Sequence, residues 1–166
     1  MPATSNTLPL LLSRVRQLSD AGIAAWIAGG WAEELCGMIE ARAHGDIDLL
    51  YPAEDFSRLD LYIASRAEMR EIVPKRFSHK RAVTLRGVMI EFFLLKPLDT
   101  GFVTNFFDGR CLLHWPADAL GWILTATGEY IPVARPHALQ AFRQHFPEHQ
   151  RAYQDYVQAT TGMENR

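Results

Sequence analysis

The chain predicts an α/β (α+β) fold, a mixed β-sheet flanked by helices with further helices at the C-terminus. Three observations predict it. Apolar residues recur at helical spacing near the N-terminus, over residues 54–66 and beyond Pro136. Short runs rich in Ile, Leu, Val and Phe lie between those stretches, the longest being Val88–Leu95. The order is helix, strand, helix, strand, helix, then several strands, then helices, which suits one mixed sheet.

Each element follows from local signals. Residues 5–21 form a helix, with Leu8, Leu11, Leu12, Val15 and Leu18 on one face, Thr7 as cap, Pro9 in the first turn and Gly22 past the end. Residues 23–28 are a short buried strand. Gly29-Gly30 turns the chain into a second helix, about Trp31–Ile39, with Leu35 and Cys36 inward. Asp46–Tyr51 is the second strand. Residues 54–66 are a helix carrying Phe56, Leu59 and Ile63. Strands follow at 70–73, 79–86 and 88–95, the last two joined at Gly87. Gly101–Gly109 reads as a loop, and another strand pair is expected near 110–114 and 130–133. Pro136 opens a helix with Leu139, Phe142 and Phe146 on one face. Pro147 should break it, leaving a final helix with Tyr153, Tyr156 and Val157. The ends, about 1–4 and 161–166, should fray.

Composition narrows the function. Hydrophobic residues make up 48% and charged residues 22% of 166 residues, enough for one domain with a real core. We read that domain as residues 1–166, with a core of about 5–95 and a further portion of about 96–160. A net charge of −2 leaves no nucleic-acid or membrane footprint. Cys36 and Cys111 are too few for a disulfide framework. The Leu8–Leu12 run is short and followed by Arg14 and Arg16, so no signal peptide is read, and a cytoplasmic protein is the expectation.

Three features carry chemistry. Gly29-Gly30 joins a strand to a helix. Glycine permits close backbone approach, and a helix start offers unpaired N–H groups suited to phosphate oxygens, though a Gly-Gly is also an ordinary tight turn. Asp46 and Asp48 open an otherwise apolar strand and face the same way. Two carboxylates that close repel and call for a cation, magnesium being the usual one where substrate phosphates complete the shell. A solvated strand start would also hold them. Glu91 sits inside Val88-Met89-Ile90-Glu91-Phe92-Phe93, where an unpaired charge costs several kcal/mol. If its strand lies beside that of Asp46 and Asp48, Glu91 reaches both. It would then bind metal or serve as general base.

Together these residues resemble the nucleotidyltransferase superfamily with the DNA polymerase β-like fold. They are most similar to its small aminoglycoside 2″- and lincosamide-modifying members. The residues that carry the resemblance are Ile27-Ala28-Gly29-Gly30-Trp31-Ala32, Arg42-x-His44-x-Asp46-Ile47-Asp48-Leu49 and Glu91, with a weaker echo over Ile131–Leu139. Gly30-Trp31 stands where the superfamily more often has Gly-Ser. The small antibiotic-modifying branch shares Gly-Gly-Trp.

The resemblance implies a mixed-sheet nucleotidyltransferase domain. It implies a nucleotide triphosphate as co-substrate and Mg2+, two ions, held by Asp46, Asp48 and Glu91. AMP from ATP would move to a hydroxyl of a small molecule, with Glu91 at the position of the general base and pyrophosphate leaving. Gly29, Gly30, Trp31, Arg42 and His44 would form the nucleotide side. Transfer to protein or RNA, as in toxin–antitoxin nucleotidyltransferases, and a degenerate nucleotide-binding domain are the alternatives. A homodimer sharing an acceptor cleft fits the chain but is not demanded by it.

Arg42 could neutralise phosphate or pair with a neighbouring acid, and His44 could order the turn into the strand. Between Glu71 and Glu91 there is no acid, only Lys75, Arg76, Lys80, Arg81 and Arg86, a basic hairpin able to steer a triphosphate or simply to protect a sheet edge. Asp99, Asp108, Asp118 and Glu129 balance Lys96, Arg110, Arg135 and Arg143. A site for a polycation should show an acidic excess there, so the balance points to a neutral or differently shaped acceptor.

Overall fold

The computed structural model describes residues 6–164, so the expectation for residues 1–4, and for the last two residues of the chain, lies outside the described residues. Helix α1 (Leu8–Asp20) is shorter than the expected 5–21 but is capped as expected. Thr7 Oγ1 accepts from the Leu10 N–H, Pro9 lies in the first turn, and Gly22 follows the end at φ 76°. Strand β1 (Trp26–Ala28) runs straight into helix α2 (Gly29–Leu35). Then come β2 (Asp46–Pro52), α3 (Ser57–Ala64), β3 (Met69–Glu71), a 3-10 turn (Val73–Lys75), β4 (Lys80–Leu85) and β5 (Val88–Leu98). Arg86 and Gly87, both at positive φ, close the tight hairpin between β4 and β5.

The C-terminal half departs from expectation in three places. Gly101–Gly109 is not a loop: Gly101–Phe106 is strand β6, and Phe107, Asp108 and Gly109 at positive φ turn it into β7 (Cys111–Trp115). Thr104 holds the place, its hydroxyl donating to the Leu94 carbonyl at 2.9 Å and accepting from Trp115 Nε1 at 2.8 Å. The strands near 110–114 and 130–133 exist but do not pair with each other. β7 pairs with β6, and β9 (Tyr130–Ala134) pairs with β1 and with the unforeseen β8 (Leu120–Leu124). Pro147 does not break the last helix. α4 runs unbroken from Pro136 to Glu164, so residues 161–164 belong to it.

A proline inside a helix costs about 3 kcal/mol. Packing on both sides of Pro147 offsets that cost. Ala138 and Leu139 are buried before it, and Ala152 after it, while the Tyr156 ring meets Phe77 at 5.7 Å and Phe107 at 5.6 Å between centroids.

The main sheet has the order β3-β4-β5-β2-β1-β9-β8 and is mixed, with β2/β5 and β1/β9 parallel and the other pairs antiparallel. β6 extends it from the far end of β5. Ile27, Ile47, Leu49 and Phe92 are fully buried with Leu11 and Leu59 from the helices. The opposite face of β5 carries Glu91 and Phe93. There α4 covers part of the sheet, Phe142 lying 6.0 Å from Phe93 and stacking on Trp115 at 5.9 Å. Among the described residues, no helix is long and apolar enough to cross a membrane.

Candidate active site

Strand register assembles the acids. Parallel pairing of β2 with β5 sets Asp48 opposite Glu91, and antiparallel pairing of β1 with β2 sets Ala28 opposite Asp48. Asp46 lies two residues before Asp48 and shares its face. Carboxylate oxygens of Asp46, Asp48 and Glu91 come within 4.8 Å of one another.

Their electrostatics differ. Glu91 is only 6% exposed. Burial pushes its carboxyl up, but Lys75 and Lys80, each with Nζ 2.8 Å from one carboxylate oxygen, outweigh that and leave it below the ordinary range. Asp48 meets no such cation. It borders a recess of about 40 Å³ walled by Leu50, Phe93, Leu139 and Phe142. Burial, then the charges of Asp46 and Glu91, push its carboxyl up to about 7. Asp46 is raised for the same reasons, by burial and then by Glu91. Neither aspartate side chain takes a hydrogen bond or ion pair among the described residues, so two acids are held together with their charge unanswered. That donor set of hard oxygens fits a divalent cation such as magnesium.

The glycine turn abuts the same carboxylate. Gly29 has φ 60°, and a Cβ there would lie 2.2 Å from Asp48 Oδ2. A Cβ on Gly30 would lie 2.8 Å from His44 Nδ1 and 3.2 Å from an Arg42 guanidinium nitrogen. Proximity favours glycine at both positions, and backbone conformation adds to it at Gly29 alone. Ala28, the residue before α2, contributes no side-chain cap, so no side chain seals the first-turn N–H groups.

The remaining predicted residues gather around this turn. His44 packs its ring 4.2 Å from Trp31, and its Nε2 lies 3.1 Å from Glu34 Oε1. The same Glu34 oxygen accepts from the Arg42 backbone N–H at 2.9 Å, leaving the Arg42 guanidinium beside Gly30. Trp31 is 5% exposed and its Nε1 donates to Asn6. Asn6, which sequence reasoning missed, also donates to the carbonyls of His44 and Asp46 and so ties the chain's start to the first acid. No local signal marks it. Of the basic hairpin, Lys75 and Lys80 reach the site. Arg76 and Arg81 instead pair with Asp60, and Arg86 sits in the distal turn.

Comparisons with known proteins bear on the fold and the family. Among solved structures, the lincosamide antibiotic adenylyltransferase LnuA, with lincomycin bound, is similar at TM-score 0.66 and 13% identity, over 90% of this chain and 98% of that one. ANT(2″)-Ia in complex with adenylyl-2″-tobramycin gives TM-score 0.60 and 14% identity, over 95% and 92%. A candidate nucleotidyltransferase from Thermotoga maritima gives TM-score 0.56 and 16% identity over the full length of both. At these identities the likeness shows a common fold. Curated protein sequences give no match. The family model described as aminoglycoside-2″-adenylyltransferase matches residues 10–113, a span that holds the glycine turn and all three acids. The chain is therefore a nucleotidyltransferase and belongs to the aminoglycoside-2″-adenylyltransferase family.

Proposed function

We propose that this protein transfers a nucleoside monophosphate, AMP from ATP, to a hydroxyl of a small molecule, with Asp46, Asp48 and Glu91 as its reaction centre. The observation that carries the reading is the convergence of these three carboxylates, across strand register, beside a glycine turn where a Cβ on Gly29 would press on Asp48. Two relatives of the same fold are adenylyltransferases solved with lincomycin and with an adenylylated tobramycin.

Asp46 and Asp48 would hold magnesium, with Glu91 as the third acid. When bound there, magnesium, as two ions, supplies charge neutralisation and alignment for the triphosphate. The acceptor oxygen attacks the α-phosphorus, the bond to the bridging oxygen breaks, and pyrophosphate leaves. Glu91, kept ionised by Lys75 and Lys80, takes the hydroxyl proton. The backbone of Gly29 and Gly30, at the unsealed start of α2, faces the outer phosphates, with the Arg42 guanidinium beside it. His44 and Trp31 shape this nucleotide side through the packing of their rings.

The test incubates the protein with labelled ATP, magnesium and a panel of hydroxylated acceptors, and reads pyrophosphate release. Asp48→Asn and Glu91→Gln run beside it. Release that both substitutions abolish supports the assignment, and release unchanged in both refutes it. Metal-dependent ATP binding with turnover only on a protein or RNA acceptor would move the chain to the other branch of the superfamily. ATP binding without turnover on any acceptor would mark a degenerate nucleotide-binding domain.

A further inference from the structure

We propose that the aromatic cleft between the segment 74–80 leading into β4 and the middle of α4 is the acceptor subsite, and that it takes a compact hydroxyl compound with an aryl or similarly apolar body and no positive charge. This rests on the transfer reaction proposed above. The cleft measures about 250 Å³, below the usual range for drug-sized ligands. Phe77, Phe107, Phe146 and Tyr153 form its walls, and Lys75 and Lys80 line it as well. Both lysine ammonium groups touch the Glu91 carboxylate, so the cleft adjoins the third acid. Gly29 lies against Asp48, on the other side of the row of acids. A donor at the glycine turn and an acceptor in the cleft would thus meet across the carboxylates.

The wall chemistry sets the class of molecule. Phe77 meets Phe107 edge-on at 5.1 Å and Tyr153 edge-on at 6.5 Å, an arrangement that receives a flat apolar body. Tyr153 packs on Phe107 at 5.4 Å and Phe146 on His149 at 5.8 Å, yet they remain 48% and 44% exposed, leaving apolar surface open to a ligand. An aromatic box by itself would also suit an organic cation. Here no Asp or Glu lines it, and the two charges that do are both positive. Both lysine charges are taken up by Glu91, so the lining offers a polycation no free carboxylate to pair with.

The wall also holds unmet polar atoms. His79 is 2% exposed, and its Nδ1 accepts from the Phe107 N–H at 3.2 Å, so the neutral ring carries its proton on Nε2. That nitrogen has no partner among the described residues, nor has His149 Nδ1. Both nitrogens are closed off behind the rings, so they make the wall polar beneath its surface without offering a ligand a direct hydrogen bond in this conformation.

The experiment is calorimetric titration of the full chain, with magnesium and a non-hydrolysable ATP analogue present. The probes are 4-nitrophenyl-β-D-galactoside, phenyl-β-D-glucuronide and tobramycin. The two aryl glycosides are expected to bind at least about tenfold more tightly than tobramycin. Tyr153→Ala and Phe146→Ala should each weaken aryl binding by about fivefold or more, with affinity for the ATP analogue unchanged. Tobramycin binding as tightly or more tightly, no aryl binding, or aryl binding indifferent to both substitutions would overturn the proposal. Pyrophosphate release is read separately with ATP in the same mixtures. Its absence while aryl binding and its sensitivity persist counts against the transfer reaction and leaves the cleft standing.

Discussion

Asp48→Asn should make the metal-free protein more stable, and by an amount that depends on pH. The Asp48 carboxyl titrates at about 7 in the folded chain against an ordinary 3.8. At about 1.4 kcal/mol per pH unit, holding it ionised in the fold costs roughly 4 kcal/mol. The folded state therefore binds more protons than the unfolded chain between about pH 4 and pH 7, and stability falls as pH rises through that window. Asparagine has nearly the same shape and no charge to desolvate. Relative to wild type it should gain roughly 4 kcal/mol at pH 8 and only about 1.5 kcal/mol at pH 5, where the folded wild type is already protonated. Relaxation of neighbouring Asp46 brings the upper figure down toward about 3 kcal/mol.

Urea unfolding, followed by tryptophan fluorescence in EDTA at both pH values, measures the difference. A gap between the two pH values of less than about 1 kcal/mol, or an asparagine variant that is less stable at both, would refute the reasoning. Magnesium gives the complementary readout. It should raise the stability of wild type at pH 8, because it binds the folded acids alone, and should do little for Asp48→Asn.

Three further outcomes are expected. Glu91→Gln keeps the shape but cannot take a proton, so kcat for nucleotidyl transfer should fall by about 10²-fold or more, read as pyrophosphate release at saturating ATP. Gly29→Ala puts a methyl group 2.2 Å from Asp48 Oδ2 at a φ of 60°. It should cost about 1–3 kcal/mol in urea unfolding and weaken metal-dependent ATP binding, and a variant as stable and as tight-binding as wild type would contradict the close approach. Thr104→Val leaves the Trp115 Nε1–H buried without an acceptor, so it should cost about 1–3 kcal/mol, whereas Thr104→Ser, which keeps the hydroxyl, should cost clearly less.

Much of the donor side was legible because its signals are local. Thr7, Pro9 and Gly22 fix α1 through the backbone groups at its own ends. Asp46 and Asp48 share a face by the two-residue period of any strand, and Glu91 stands out because its neighbours are so apolar. Whether these acids meet turns on parallel pairing of β2 with β5, which is settled by packing between segments some forty residues apart. The same limit explains the errors. Gly101 and Gly109 bracket β6 and imitate a loop, and only the Thr104 hydroxyl bridging Leu94 and Trp115 reveals the strand. Pro147 carries a real local penalty that tertiary contacts on both sides of it override. Lys75 meets Glu91 only because the 3-10 turn brings it there, and Lys80 because β4 pairs with β5 in the register that sets it opposite Phe93.

The acceptor side is hard to read for a related physical reason. Nucleotide chemistry is the same in every cycle, so backbone groups and short-range carboxylates can serve it, and these leave compact motifs between Ile27 and Asp48 and at Glu91. The cleft draws instead on residues from Pro74 to Tyr153, and each wall residue has an identity that a core could equally use. What separates cleft from core is a set of absences and leftovers: no acid, two unpartnered ring nitrogens, and two large aromatic side chains left open at the mouth. None of these can be seen until the chain is folded. The balanced charges of residues 96–146 gave the one early hint, and they point the same way as the lysines and aromatic rings of the cleft, toward an acceptor without the positive charge that an aminoglycoside carries.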